Sequence, residues 1–222
     1  MESVTRGTVF FDYDGTLHDS MRIYGPAFRR AYDWLVEQGH ARPRSFSDDE
    51  IRRWLGWTVE DMWTTFMPDL EETVWREASS LIGNTMNDLV EQGGASLFPG
   101  VDEMLASLVD RGYELVFLSN CRTKYRDEHL ERFGLSRYFR EAYCAEQFDE
   151  IPKWQIYRQI ARNHPRPHVM VGDRFHDMEV ALHGDIPSIG CAYGFGDPEE
   201  LREADIIVNT PMKIMDAVKQ LL

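Results

Sequence analysis

The chain has 222 residues, 43% of them hydrophobic, enough to bury a substantial core as one large domain or a domain with an insertion. Its formal charge is −14, with no basic cluster long enough to track a nucleic-acid backbone, which excludes DNA or RNA binding as its main task. Three widely spaced cysteines (Cys121, Cys144, Cys191) fit neither a disulfide framework nor a zinc knuckle. With no signal-peptide pattern at the N-terminus and no apolar run of spanning length, the expectation is a reduced, cytoplasmic protein with no membrane partner.

The first predicted element is a buried strand over Thr8–Asp12, followed by Asp12-Tyr13-Asp14-Gly15-Thr16. In extended chain, residues i and i+2 point to one side, so Asp12 and Asp14 are expected to face one small volume. Two like charges at close range need a cation or a shared proton between them. Gly15 and Thr16 allow a sharp turn whose amides are expected to be free to meet an anion. Carboxylate pair, cation and anion-binding loop together point to phosphoryl transfer; taken alone, the stretch is also an ordinary acidic turn after a strand.

From Asp19 to about Ala95 there is no convincing strand, and helix signals dominate. Ser47-Asp48-Asp49-Glu50 has the form of a capping box, Thr58-Val59-Glu60-Asp61 that of a second helix start, and Pro68-Asp69 marks the turn into a long helix ending near Gly93-Gly94. Trp34, Trp54, Trp57, Trp63 and Trp75 all lie here. They are expected to form the core of a small helical bundle, with one or two of them, and Arg52 and Arg53, as alternative pocket-lining residues. Leu97-Phe98-Pro99-Gly100 then opens the next helix.

Further strands are predicted at Glu114–Ser119, Ala142–Cys144, His168–Asp173, Pro187–Cys191 and Asp205–Asn209, mostly separated by helical periodicity. Such alternation implies an α/β protein with a mainly parallel sheet covered on both faces. Ligands of such sheets bind beyond the carboxyl ends of the strands. Ser119 and the amide of Asn120 stand at one such end as candidate holders of a phosphoryl oxygen, although Ser119 suits a helix N-cap equally well. Lys153 is one of only four lysines, and after Pro152 it sits in the first turn of a predicted helix, where the dipole favours anions. It is better explained by an anion to neutralise than by solvent. Gly172-Asp173-Arg174-Phe175-His176-Asp177 repeats the strand, glycine and aspartate order, with Asp173 and Asp177 four apart and on one face if a helix begins there. Hard oxygen ligands of this kind suit Mg²⁺, and His176 is not needed as a ligand.

On the same residues, Asp12 is a candidate nucleophile that attacks phosphorus to form an acyl phosphate. Asp14 is a candidate general acid and base, with a pKa expected to be raised by its neighbouring carboxylate.

Asp12-x-Asp14-Gly15-Thr16, Ser119, Lys153 and Gly172-Asp173-x-x-x-Asp177 resemble the four ordered motifs of the haloacid dehalogenase-like hydrolase superfamily, across Phe10 to about Gly196. The helical insertion, Phe98-Pro99-Gly100-Val101 and Tyr193-Gly194-Phe195-Gly196 resemble the phosphoglycolate-phosphatase and β-phosphoglucomutase branch. The resemblance implies a Rossmann-like core over 1–18 and 95–222 and a helical cap over 19–94. It also implies Asp12 as nucleophile, and Asp14 as acid/base with its backbone carbonyl on Mg²⁺. Ser119 and Lys153 would bind phosphate, Asp173 would bind the metal, and Asp177 would support the metal or its waters. Trp154 in place of a common proline, and the bulky Arg174-Phe175-His176, depart from the pattern.

The expected function is a Mg²⁺-dependent phosphatase of small phosphorylated metabolites, as a monomer or homodimer. Asp14 argues against a dehalogenase, whose halide leaving group needs no proton. A cap without lysine argues against a Schiff-base phosphonatase. A sugar phosphomutase and a non-catalytic binding module are the alternatives.

Overall fold

A computed structural model describes residues 5–222. Residues 1–4, where the expected core and the N-terminal signal reading begin, lie outside the described residues. The chain divides into two compact units, Met1–His18 with Leu97–Leu222, and Asp19–Ser96.

The first unit is built on six parallel strands: β1 Gly7–Phe11, β2 Tyr113–Ser119, β3 Phe139–Cys144, β4 His168–Gly172, β5 Ser188–Cys191 and β6 Ile206–Val208. Their spatial order is β3-β2-β1-β4-β5-β6. The crossover from β1 to β2 on one side and β4 on the other is the doubly wound arrangement, with its switch point between β1 and β4.

The strands are apolar on both faces because both are covered. Val9, Phe11, Leu115, Phe117, Val169 and Val171 point to one side, packed with Met104 and Leu108 of α5 (Val101–Asp110) and Ile214 and Val218 of α9 (Ile214–Leu221). Phe10, Val116, Leu118 and Met170 point to the other, against Ile156 and Tyr157 of α7 (Lys153–Ile160) and Val180 of α8 (Phe175–Gly184). A fifth α-helix of this unit, α6 (Thr123–Arg132), places Leu130 in the first of these layers.

The edge strands differ most from expectation. β3 begins at Phe139 rather than Ala142, because Arg140 and Glu141 are exposed on an edge strand and interrupt the apolar pattern that marks a buried one. β6 keeps only Ile206–Val208 of the expected five residues.

The second unit is helical: α1 Met21–Glu37, α2 Asp48–Arg52, α3 Val59–Phe66 and α4 Glu72–Glu91. Ser47 and Glu50 form the reciprocal capping box, so two orphan N–H groups are satisfied at once. Thr58 caps α3 through the Asp61 amide. α1 packs along α4, and Phe28, Tyr32, Phe46 and Phe66 form a cluster of edge-on and tilted rings. Trp63 and Trp75 are buried, and the Trp63 indole donates to Ser79 Oγ at 2.6 Å. Trp34, Trp54 and Trp57 are half-buried. Trp34 lines an open groove with Arg76, Glu77, Ser80, Leu81 and Asn84; Arg52 and Arg53 are not part of it. No described helix is long and apolar enough to cross a membrane.

Candidate active site

Asp12 continues β1 by one hydrogen bond, its N–H donating to the Val171 carbonyl at 2.9 Å. This delivers its carboxylate to the switch point, where it is 2% exposed. Lys153, the first residue of α7, reaches the same place: its Nζ lies 2.8 Å from Asp12 Oδ1 and 2.7 Å from Asp177 Oδ1. Burial alone would lower the lysine pKa, but the two carboxylates more than offset it and raise the pKa above the ordinary value. Burial, then the charge of Asp177, pushes Asp12 well above the carboxylate range despite Lys153.

Asp173 follows β4 and is fully buried. Its Oδ2 accepts the Phe195 amide at 2.7 Å and its Oδ1 the Thr16 hydroxyl at 3.2 Å. Burial and the neighbouring Asp177 nevertheless push its pKa up to about 7. Asp177 sits in the first turn of α8, where its Oδ2 accepts the Arg174 amide at 3.0 Å and its other oxygen faces Lys153. Asp12, Asp173 and Asp177 each bring one carboxylate oxygen within 4.8 Å of the others.

Glycines make this approach possible. A Cβ on Gly15, whose φ is +86°, would overlap the Asp173 carboxylate, and one on Gly172 would overlap that of Asp177. Gly194 is equally closed by Asp173.

The triad fits a hard divalent cation. Of three clustered buried carboxylates only Asp12 and Asp177 pair with the one ammonium, and Asp12 Oδ2 is buried with no hydrogen-bond partner among the described residues. An acceptor-only oxygen in that position needs a cation or a proton.

Not every expected residue joins this cluster. Asp14 does not turn its carboxylate toward the triad: Oδ1 accepts the Tyr125 hydroxyl at 2.8 Å and lies 3.2 Å from His18 Nδ1. The raised pKa expected for Asp14 is therefore corrected. Burial pulls its pKa up, but hydrogen bonding to His18, the His18 charge and the Tyr125 hydroxyl outweigh it and lower the pKa. The free amides expected of the turn are also corrected. Gly15 N–H donates to the His18 carbonyl at 2.9 Å, and Thr16 N–H to the Tyr13 carbonyl at 3.2 Å. The Thr16 hydroxyl serves Asp173 instead of an open anion site.

Ser119 ends β2 and is 2% exposed, level with Cys144 in the sheet register. It is not a helix N-cap, since α6 starts four residues later with Arg122 in the cap position. Asn120 follows it, half-buried.

His18, Tyr125 and Glu200 belong to the surroundings of the site and were not singled out from the sequence. Arg174 turns its guanidinium to Glu200, with Nε 2.8 Å from Oε2, and the same oxygen accepts the Phe175 amide at 3.0 Å. The bulky Arg174 is thereby drawn aside. The Trp154 ring lies tilted against that of His183, with centroids 4.3 Å apart. The glycines of Tyr193-Gly194-Phe195-Gly196 were the one available sequence signal for the loop that holds Asp173.

A switch-point carboxylate triad with a buried lysine on a doubly wound sheet defines a class of hydrolase. Residues 9–191 match the model of the haloacid dehalogenase-like hydrolases, and the chain belongs to that family. Its class of activity is that of a phosphoric monoester hydrolase. The chain is 26% identical to the phosphoglycolate phosphatase of Synechococcus elongatus, over 96% of its own length and 98% of the relative's. It is 25% identical to the phosphoglycolate phosphatase of Vibrio vulnificus, over 95% of each chain. A solved structure from Clostridium acetobutylicum, described as a predicted phosphatase, superposes with a TM-score of 0.80 at 25% identity, covering 98% of this chain and all of the other.

Proposed function

We propose that this protein is a Mg²⁺-dependent phosphatase of small phosphorylated metabolites, acting through a phospho-aspartyl intermediate on Asp12. The observation that carries this is the buried Asp12 carboxylate, with one oxygen on Lys153 and the other without a partner beside Asp173 and Asp177. Asp12, Asp173 and Asp177 would hold the cation, with the Asp14 carbonyl as the further ligand that family membership suggests. Bound there, the ion supplies charge neutralisation for the phosphoryl group and its nucleophile.

The chain's own residues supply the rest. Lys153 holds Asp12 in place and offers its remaining donor capacity to a phosphoryl oxygen. Ser119, with Asn120, is proposed to hold a second oxygen at the end of β2. Asp12 attacks phosphorus, Asp14 protonates the leaving ester oxygen, and Asp14 then takes a proton from the attacking water. Residues 1–18 and 95–222 would be the catalytic core, and 19–94 a cap that carries specificity. The relatives' names make 2-phosphoglycolate the first substrate to try. The cytoplasm is the proposed compartment.

The test is inorganic phosphate release from a panel of phosphorylated metabolites, with and without Mg²⁺, using Asp12→Asn as the blank. Metal-dependent release that vanishes in the variant supports the proposal. No release from any compound overturns it and favours the mutase or a binding module.

A further inference from the structure

We propose that Tyr125 and His18 are positioning residues that latch Asp14 away from the reacting centre, and that Asp14 must leave them to act. The proposal rests on Asp14 being the acid of the reaction above.

Three groups form a closed triangle. Asp14 Oδ1 lies 2.8 Å from the Tyr125 hydroxyl and 3.2 Å from His18 Nδ1, and Tyr125 Oη lies 3.1 Å from the same nitrogen. The two partners are themselves fixed. A β-bridge pairs Asp14 with His18 along the backbone. The His18 ring stacks on Tyr13 with centroids 5.2 Å apart and planes 10° apart. The Tyr125 ring has its centroid 3.9 Å from that of His129, one turn along α6, and His129 Nδ1 is tied to the Tyr13 hydroxyl at 2.8 Å. Aromatic contacts therefore surround the latch, and its hydroxyl and nitrogen cannot follow Asp14 without repacking four rings.

The chemistry makes this arrangement a resting one. Asp14 Oδ1 accepts a hydrogen bond from the Tyr125 hydroxyl, and Asp14 stands outside the carboxylate cluster that contains the nucleophile. A general acid must instead come within hydrogen-bond reach of the ester oxygen. In the step itself Asp12 forms the new bond to phosphorus and the ester P–O bond breaks, while Asp14, released from the latch and protonated from solvent, passes that proton to the departing oxygen. Every such event requires Asp14 to exchange the Tyr125 and His18 contacts for the substrate. The latch sets how often the acid is in place, and substrates differ in how much they need it.

The experiment compares kcat/KM for an alkyl phosphate, whose alkoxide leaves poorly without a proton, with that for p-nitrophenyl phosphate, whose phenolate leaves unaided. Tyr125→Phe keeps the ring and removes the hydroxyl. His18→Phe keeps a ring on Tyr13 and removes the nitrogen, and serves if the first variant does not fold. The alkyl-to-nitrophenyl ratio should rise by about threefold or more, as the latched population shrinks. A general packing defect would move both substrates together. A ratio that stays within about twofold of the wild type, or falls, overturns the latch. Crystal structures of wild type and Tyr125→Phe give an answer that needs no turnover. The Asp14 carboxylate should leave His18 and turn toward Asp12 in the variant; an unmoved carboxylate overturns the proposal. If the wild type hydrolyses neither ester, the phosphatase reading fails, and the crystallographic comparison still decides the latch.

Discussion

Lys153 Nζ stands 2.8 Å from Asp12 Oδ1, although 141 residues separate them in the chain. The pair is almost fully buried, at 2% and 3% side-chain exposure, so water does little to screen it. It joins the first residue of a helix to the residue that directly follows a strand, and it holds the proposed nucleophile at a defined point.

Asp12→Asn removes the nucleophile and keeps the side chain's shape. Turnover should disappear while the thermal unfolding profile stays close to wild type, because Lys153 retains Asp177. Phosphate release and a melting curve check this, and residual activity within about tenfold of wild type would remove Asp12 from its role.

Lys153→Met leaves Asp12 and Asp177 buried together without their cation. The expected loss is about 3–5 kcal/mol in ion-free buffer, the usual cost of breaking a buried pair from one side. Urea unfolding measures it, and Mg²⁺ should restore more stability to the variant than it adds to wild type. A loss of under about 1 kcal/mol would show the pair to be energetically idle.

The cation and protons should compete. Burial and Asp177 hold Asp173 up at about 7, and burial raises Asp12 in the same sense. In the ion-free protein, such raised carboxyls contribute stability that is full below the ordinary range near about 4 and is lost as pH rises toward the folded value. A divalent ion needs both groups ionised. The Mg²⁺-induced rise in Tm should therefore be larger at about pH 7.5 than at about pH 5, since histidine titration common to both forms cancels. Equal shifts at the two pH values would disprove the competition.

Gly15→Ala and Gly39→Ala separate backbone strain from steric closure. Gly15 has φ +86° and Gly39 φ +80°, but a Cβ on Gly39 meets nothing within 4 Å, whereas one on Gly15 overlaps Asp173. Gly39→Ala should cost only the left-handed strain, about 1 kcal/mol, with activity intact. Gly15→Ala should cost more and weaken Mg²⁺ activation. Parallel urea melts and metal titrations of activity distinguish the two.

Much of this site was legible in the sequence for a local reason. Asp12, Ser119 and Asp173 follow runs whose apolar residues fill both faces of a sheet, and β1, β2 and β4 end within a residue of the expected positions. Lys153 stood out because a cation in a helix's first turn is electrostatically misplaced without an anion to meet. The helical caps at Ser47 and Thr58 were equally local, each requiring only residues three apart. The edge strand β3 was half hidden, because Arg140 and Glu141 break the apolar pattern where one side of the strand has no neighbour.

The sequence by itself determined which carboxylates stand at strand ends and in what order, since strand period, turn glycines and helix starts are set by neighbours along the chain. Only the tertiary structure decided where Asp14 and Thr16 direct their side chains. Alternation along an extended strand put Asp12 and Asp14 on one side, but the chain turns at Gly15, and Tyr125 from a helix more than a hundred residues away claims the Asp14 carboxylate. Thr16 is claimed in the same way by Asp173. A side chain's hydrogen-bond partner, and with it the direction of its pKa, belongs to whatever the fold brings alongside, and that contact has no trace in local sequence.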